Sequence, residues 1–280
     1  MNRFTSFPSC FHRICISIAI ICLAALPIPM KAQEFFPATN YGGKTQLKEF
    51  LFEHMVYPRA ELAAGKDGNV SIAFDVDPKG STKDLKILQT SGSAFTKEAL
   101  RLFSLLLWNP ASIRGKNTSD HQALTITFNC KHYLKMCRLR GYDTITRPYY
   151  PIDTTLKIYT YRMTKKAPEP VFSDKETTLQ SFFAKNFHYP EAALKQNVTG
   201  IVKVRFVVET YGIISNATVD NHLGAGCAEE AIRLVKLLKW KPGIMNGKAV
   251  RVEMNLAITF GLNEKGGFQY QPNQSENSMN

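Results

Sequence analysis

A chain of 280 residues with 44% hydrophobic content holds enough apolar side chains for one large or two ordinary folded domains, which excludes wholesale disorder. Its formal charge of +12 suits membranes, anionic polymers and acidic partners. Of its six cysteines, Cys10, Cys15 and Cys22 fall in the first 22 residues, and only one pair can form among Cys130, Cys137 and Cys227.

The N-terminus comes first. MNRFTSFPSCFHR carries Arg3 and Arg13 and no acid, and residues 14–28, ICISIAIICLAALPI, carry no charge. A basic segment, an apolar run of about 15 residues and a small-residue exit at Ala32 make residues 1–32 a signal peptide, cleaved after Ala32. Retention as a signal anchor starting near Phe11 is the alternative, with the chain then held at the inner membrane. Removing the leader leaves 32 basic against 23 acidic residues, and the protein is expected in the periplasm. Of the cysteines outside it, Cys130 and Cys137 are close enough in sequence to pair in an oxidising compartment, leaving Cys227 as a buried helix thiol. Cys130, His132 and Cys137 lack a fourth metal ligand, and no metal or cofactor is expected.

Residues 43–130 form the first folded segment and 174–262 the second, because the chain repeats itself at an offset of 132. Tyr57-Pro58 matches Tyr189-Pro190, Gly68 matches Gly200, Gly80 matches Gly212, Trp108 matches Trp240 and Pro110 matches Pro242. About a third of the aligned positions are identical without a gap. Two copies at so long a period indicate a duplicated domain, not a solenoid.

In the second copy, Leu179, Phe182, Phe183 and Phe187 lie at helical spacing, and Pro190 suits the first turn of a short helix. Val202, Val204, Phe206 and Val208 then alternate with polar residues, which predicts a half-buried strand, and Gly212 turns the chain into a second strand over 213–219. Ala231, Leu234, Val235 and Leu238 make the stripe of an amphipathic helix. That helix, EEAIRLVKLLKWKPG, stops at Trp240-Lys-Pro242 as its counterpart KEALRLFSLLLWNPA stops at Trp108-Asn-Pro110, because proline cannot continue a helix. Trp108, Pro110, Trp240, Pro242, Gly200 and Gly212 are therefore read as structural. A last strand, 249–260, turns Val250, Val252, Met254, Leu256, Ile258 and Phe260 inward and Arg251, Glu253 and Asn255 outward. The fold class is α+β: two tandem small domains, each a three-stranded antiparallel sheet packed with helices. Residues 131–173 read as a basic linker with one further strand in TLKIYTYRM, and 263–280 as a disordered tail.

Tyr-Pro-x-x-Ala, a glycine-bounded V-x-V-x-F strand, EEAIRLVKLLKWKPG and NGKAVRVEMNLAITF together resemble the C-terminal domain of TonB. The resemblance is closest over 174–260, and the first copy is divergent. It implies a periplasmic module that grips an extended segment, the TonB box of an outer-membrane receptor, in energy-dependent transport across the outer membrane. The capture is by strand addition, in which an edge strand offers unpaired backbone groups. The resemblance places the partner at the edge residues Val250, Arg251, Val252, Glu253, Met254 and Asn255, bordered by His188, Tyr189 and Pro190 and by Tyr57 and Pro58. The second copy is expected to bind better, since the first has the turn-prone NTSDHQ at 117–122 where the second has a β-branched strand.

Family members of the transducing type also couple to inner-membrane motor proteins through an anchor and a long spacer, whereas residues 33–46 reach at most ~50 Å. A soluble envelope scaffold, or a peptidoglycan- or glycan-binding protein using Arg138, Arg140, Tyr142, Arg147, Tyr149 and Tyr150, is thus the second reading. No nucleophile, base and orienting group, and no phosphate loop, stand at matching places in the copies, so no enzyme activity is expected. The leader argues against nucleic acid as a partner.

Overall fold

The computed structural model describes residues 34–141, 151–172, 174, 177–261 and 270–271. The leader expected at 1–32 lies outside these residues, as does the tail expected at 263–280 apart from Tyr270–Gln271. Among the described residues, no helix is long and apolar enough to cross a membrane.

The first copy runs β1 (Phe35–Phe36), β2 (Thr39–Asn40), α1 (Gly43–His54), α2 (Arg59–Ala63), β3 (Gly68–Val76), β4 (Thr82–Thr90), α3 (Ser93–Leu105), β5 (Trp108–Asn109), β6 (Ala111–Ile113), β7 (Lys116–Thr118), β8 (Asp120–Phe128) and α4 (Cys130–Arg140). The connecting segment carries β9 (Ile158–Thr160), a 3-10 turn and β10 (Glu169–Val171). The second copy follows as α5 (Leu179–Asn186), α6 (Glu191–Lys195), β11 (Gly200–Val208), β12 (Ile214–Val219), α7 (Cys227–Lys236), β13 (Lys239–Lys241), β14 (Gly243–Met245), β15 (Lys248–Phe260) and β16 (Tyr270–Gln271).

Each copy is built on three antiparallel strands, β4-β3-β8 in the first and β12-β11-β15 in the second, where β14, β9 and β16 also pair with β15 to make a sheet of six. Period-two alternation on β3 and β11 turns Val70, Ile72, Phe74 and Val76, and Val202, Val204, Phe206 and Val208, onto α3 and α7. These residues are fully buried, each contributing roughly 1.5–3 kcal/mol of apolar transfer. Gly80 and Gly212 hold the turns at φ 83° and 81°, and a Cβ there would lie 2.3 and 2.0 Å from the Trp108 and Trp240 carbonyl oxygens. The backbone can pass this close to the tryptophan only without a side chain. Each indole then covers its sheet, Trp108 against Phe74 and Trp240 against Phe206, with ring centroids 4.7 and 5.6 Å apart.

Two expectations need correction. Residues 131–173 are not a simple linker. Asn129 caps α4 by accepting from the His132 N–H, and Cys130 and Tyr133 join the first core. Arg140 then donates to the Phe52, Glu53 and Met55 carbonyls at 2.8, 3.2 and 3.1 Å, which ties α4 to the end of α1. The Cys130–Cys137 disulfide is also absent, and both are free thiols. Seven positions along one helix separate their Cα atoms by about 10 Å, beyond the ~7 Å a disulfide spans. Cys227 is a buried thiol at the start of α7.

Candidate functional site

The Tyr-Pro motif is an anchor in both copies. The Tyr57 hydroxyl donates to the Lys66 carbonyl at 2.6 Å and that of Tyr189 to the Val198 carbonyl at 2.5 Å, while Pro58 and Pro190 open α2 and α6. Beside them the same network is drawn twice. Glu98 accepts from the Val56 N–H and from Arg101, whose Nη2 also donates to the His54 carbonyl. Glu230 accepts from the His188 N–H and from Arg233, whose Nη2 also donates to the Asn186 carbonyl. These contacts fix the helix-to-motif corner, and they make Tyr57 and Tyr189 packing residues before anything else.

Where the copies differ, they dock on each other. His54, at the end of α1, is wholly buried, and its Nε2–H donates to the Ile214 carbonyl at 2.8 Å. A carbonyl only accepts, so Nδ1 is bare and accepts from the Tyr211 hydroxyl at 2.7 Å. Burial, ahead of the nearby cations Arg101, Lys236 and Arg140, drives its pKa down to about 3, although the Ile214 bond acts the other way. Burial also holds the Tyr211 phenol well above its ordinary value, helped by Glu209. Asn216 accepts from the Leu107 N–H and donates to the Leu105 carbonyl, both at 2.8 Å.

Arg251 takes the expected outer face of the last strand, but that face is covered and not open to solvent. The residue is 4% exposed, its Nε and Nη2 meet Glu209 at 3.0 and 2.9 Å, and Nη2 also reaches the Leu105 carbonyl of the first copy at 2.8 Å. Val250 and Val252 are buried, Glu253 and Met254 are half-buried, and Asn255 is exposed. A cleft of about 780 Å³ opens between the copies, bringing Tyr57 and Pro58 together with Glu209, Tyr211 and Arg251. His188, Tyr189 and Pro190 do not line it.

The sheet edges differ more sharply than the side chains. β15 pairs with β11 on one side over Gly200↔Phe260 to Val208↔Val252. On its other side lie β9, parallel at Arg251–Glu253, and β16 at Ala257–Ile258. The expected binding edge is thus largely occupied by this chain itself. In the first copy β8 pairs with β3 from Gly68↔Phe128 to Val76↔Asp120, and no other strand among the described residues pairs with it. The Ala249 N–H and C=O both turn to the outer edge, at 2.7 Å from the Pro151 O and 2.8 Å from the Asp153 N. Two-residue alternation and the offset of 132 carry that direction to His121, Ala123, Thr125 and Thr127 on β8.

Sequence reading overlooked His54, Glu209, Tyr211 and Asn216. The available signal was divergence between copies, since His54 faces Asn186 in the alignment, Tyr211 faces Lys79 and Arg251 faces Ser119. Of the aromatic and basic cluster in the connecting segment, Arg140 is engaged by backbone carbonyls, and Tyr142, Arg147, Tyr149 and Tyr150 lie outside the described residues.

Two tandem α+β modules, each with a core of three antiparallel strands under one amphipathic helix, define the class of small duplicated α+β domains. The chain belongs to the TonB C-terminal family: the family described as Gram-negative bacterial TonB protein C-terminal matches residues 53–130 and 185–262, more than half of the chain. The chain is also similar to the solution NMR structure of the Pseudomonas aeruginosa TonB CTD, at 25% identity over 27% of this chain and 77% of that one, with a TM-score of 0.24. No curated protein matches it.

Proposed function

We propose that this protein is an exported, periplasmic member of its family that captures an extended peptide of an outer-membrane receptor by strand addition, in the service of energy-dependent transport. The observation that carries this reading is the outer edge of β8, nine residues long and paired on one side only among the described residues. His121, Ala123, Thr125 and Thr127 are exposed on it, and their backbone groups are the ones available to a partner. This relocates the expected site from the second copy to the first. The break at Ser119, which divides β7 from β8, shortens the strand without covering it.

Backbone bonds dominate strand addition, so side chains on β8 are replaceable and N–H groups are not. Thr125→Pro deletes an outward donor while sparing the inner ladder, as proline is tolerated on an edge strand in that orientation. Titration with a TonB-box peptide should show Thr125→Val binding within about two-fold of the parent and Thr125→Pro losing about ten-fold or more, the equivalent of one to two hydrogen bonds. Equal binding by all three proteins contradicts the reading.

A further inference from the structure

The structure also carries a second edge, already filled. We propose that residues 151–160 are a competitor strand built into the chain, occupying in cis a strand-accepting edge on β15 that an incoming extended segment reaches only by displacing them. This rests on the strand-addition reading, and it adds a second site and the means by which that site is kept closed.

The segment is held along β15 by its backbone. The Ala249 N–H donates to the Pro151 carbonyl at 2.7 Å and the Asp153 N–H to the Ala249 carbonyl at 2.8 Å. After an excursion, Ile158, Tyr159 and Thr160 pair in parallel with Arg251, Val252 and Glu253. Arg251 Nη1 donates to the Leu156 carbonyl at 3.2 Å. Yet no residue from 151 to 160 is buried. The strap therefore lacks the apolar burial that fixes an integral strand, and three parallel pairs are a weak ladder. Leu156 adds a cost, sitting at φ 61° and 42% exposed as a residue.

Comparison of the copies shows where the shared fold resumes after the strap, whose aligned positions 19–28 lie outside the described residues. The next stretch is common to both: β10 pairs with β13 as β2 pairs with β5, each bringing a residue opposite the tryptophan. The β9 segment has no such counterpart on β8 among the described residues. Just beyond it, Met254, Asn255 and Leu256 pair with β11 but with no strand on their outer side among the described residues, and the exposed Asn255 offers its outward backbone there. That gap is a toehold. A strand of six or more residues can pair at Asn255 and extend over Glu253 and Arg251, gaining more ladder bonds than the strap loses. The strap's own sequence, with β-branched Ile158 and Thr160 flanking Tyr159, indicates a partner that alternates β-branched with aromatic side chains.

The test uses the full chain and a synthetic peptide of the strap sequence TLKIYTY. A variant carrying Lys157→Gly, Ile158→Ser, Tyr159→Gly and Thr160→Ser keeps the length and removes the β propensity, and Tyr159→Pro, which deletes the N–H that faces β15, is the milder alternative should that variant not fold. Amide exchange followed by NMR should quicken about ten-fold or more at Arg251 and Glu253 in either variant, with Val252, which faces β11, unchanged. Added TLKIYTY should restore the protection in the variants and leave the parent unaltered. Unchanged exchange at Arg251 and Glu253, or exposed amides that the peptide does not re-protect, overturns the proposal. A receptor peptide that fails at β8 while TLKIYTY still protects β15 removes the first-copy reading and leaves this one standing.

Discussion

Arg251 joins three parts of the molecule: its own strand, the first copy through Leu105 and the connecting segment through Leu156. The Glu209 carboxylate beneath it is 1% exposed, so removing the guanidinium strands a buried charge. Arg251→Ala should cost about 3–5 kcal/mol in denaturant unfolding, whereas Arg205→Ala, whose Asp220 partner is solvated, should cost less than about 1 kcal/mol. His54 sets a pH dependence whose sign follows from its depressed pKa. The neutral ring is the folded form, so its contribution is full above about 6.5 and is lost progressively as pH falls towards about 3. Stability should decline more steeply between pH 6 and 4 in the parent than in His54→Gln, by on the order of 1 kcal/mol per pH unit. Parallel curves would show that His54 titrates as freely in the folded protein as in the unfolded one. Neither residue was legible as an interface residue in the sequence. Alternation assigned Arg251 to solvent because a period of two says which face a side chain takes, not what packs there. A lone histidine at a helix end carries no mark of the partner it meets 160 positions later.

Elements were read more faithfully than sites. The order of helix, short helix, strand, strand, helix and strand recurs in both copies, since each element carries its own periodicity and the glycine and Trp-x-Pro punctuation falls at its ends. The glycine argument is testable. Gly212→Ala forces a Cβ onto the Trp240 carbonyl and should cost several kcal/mol, whereas Gly65→Ala, also at positive φ but facing open space, should cost about 1 kcal/mol. Thermal midpoints compare the two, and equal losses would remove the close approach as the reason for glycine. Helix α4 was missed because CKHYLKMCRLR mixes five basic side chains with its apolar ones, and its inward stripe of Cys130, Tyr133 and Met136 is short. The same oversight produced the expected disulfide. Mass spectrometry of the folded protein with and without reductant should show no change of two hydrogens per molecule, and such a change would mean α4 unwinds to let Cys130 and Cys137 meet. The strap at 151–160 was visible only as one more strand, because sequence shows β propensity and not which edge it will cover.

At the scale of the molecule, duplication has produced two modules that are no longer alike in what they offer. Their docking through His54, Asn216 and Arg251 is heterologous, using the end of α1 and the Leu105–Leu107 stretch of one against β12 and β15 of the other. Calorimetry should therefore record one cooperative transition with equal calorimetric and van't Hoff enthalpies, and two separate transitions would contradict a shared interface. The family identity was legible from the repeated motifs; the distribution of open and closed edges was not, since it depends on where distant segments come to rest. The central claim is that the outer edge of β8 accepts a strand. Amide exchange across β8 with a TonB-box peptide titrated against the full chain tests it most directly. Protection should rise at the outward amides of Ala123, Thr125 and Thr127 and stay level at Leu124 and Ile126, already bonded to β3; no added protection at the outward positions under saturating peptide would contradict it.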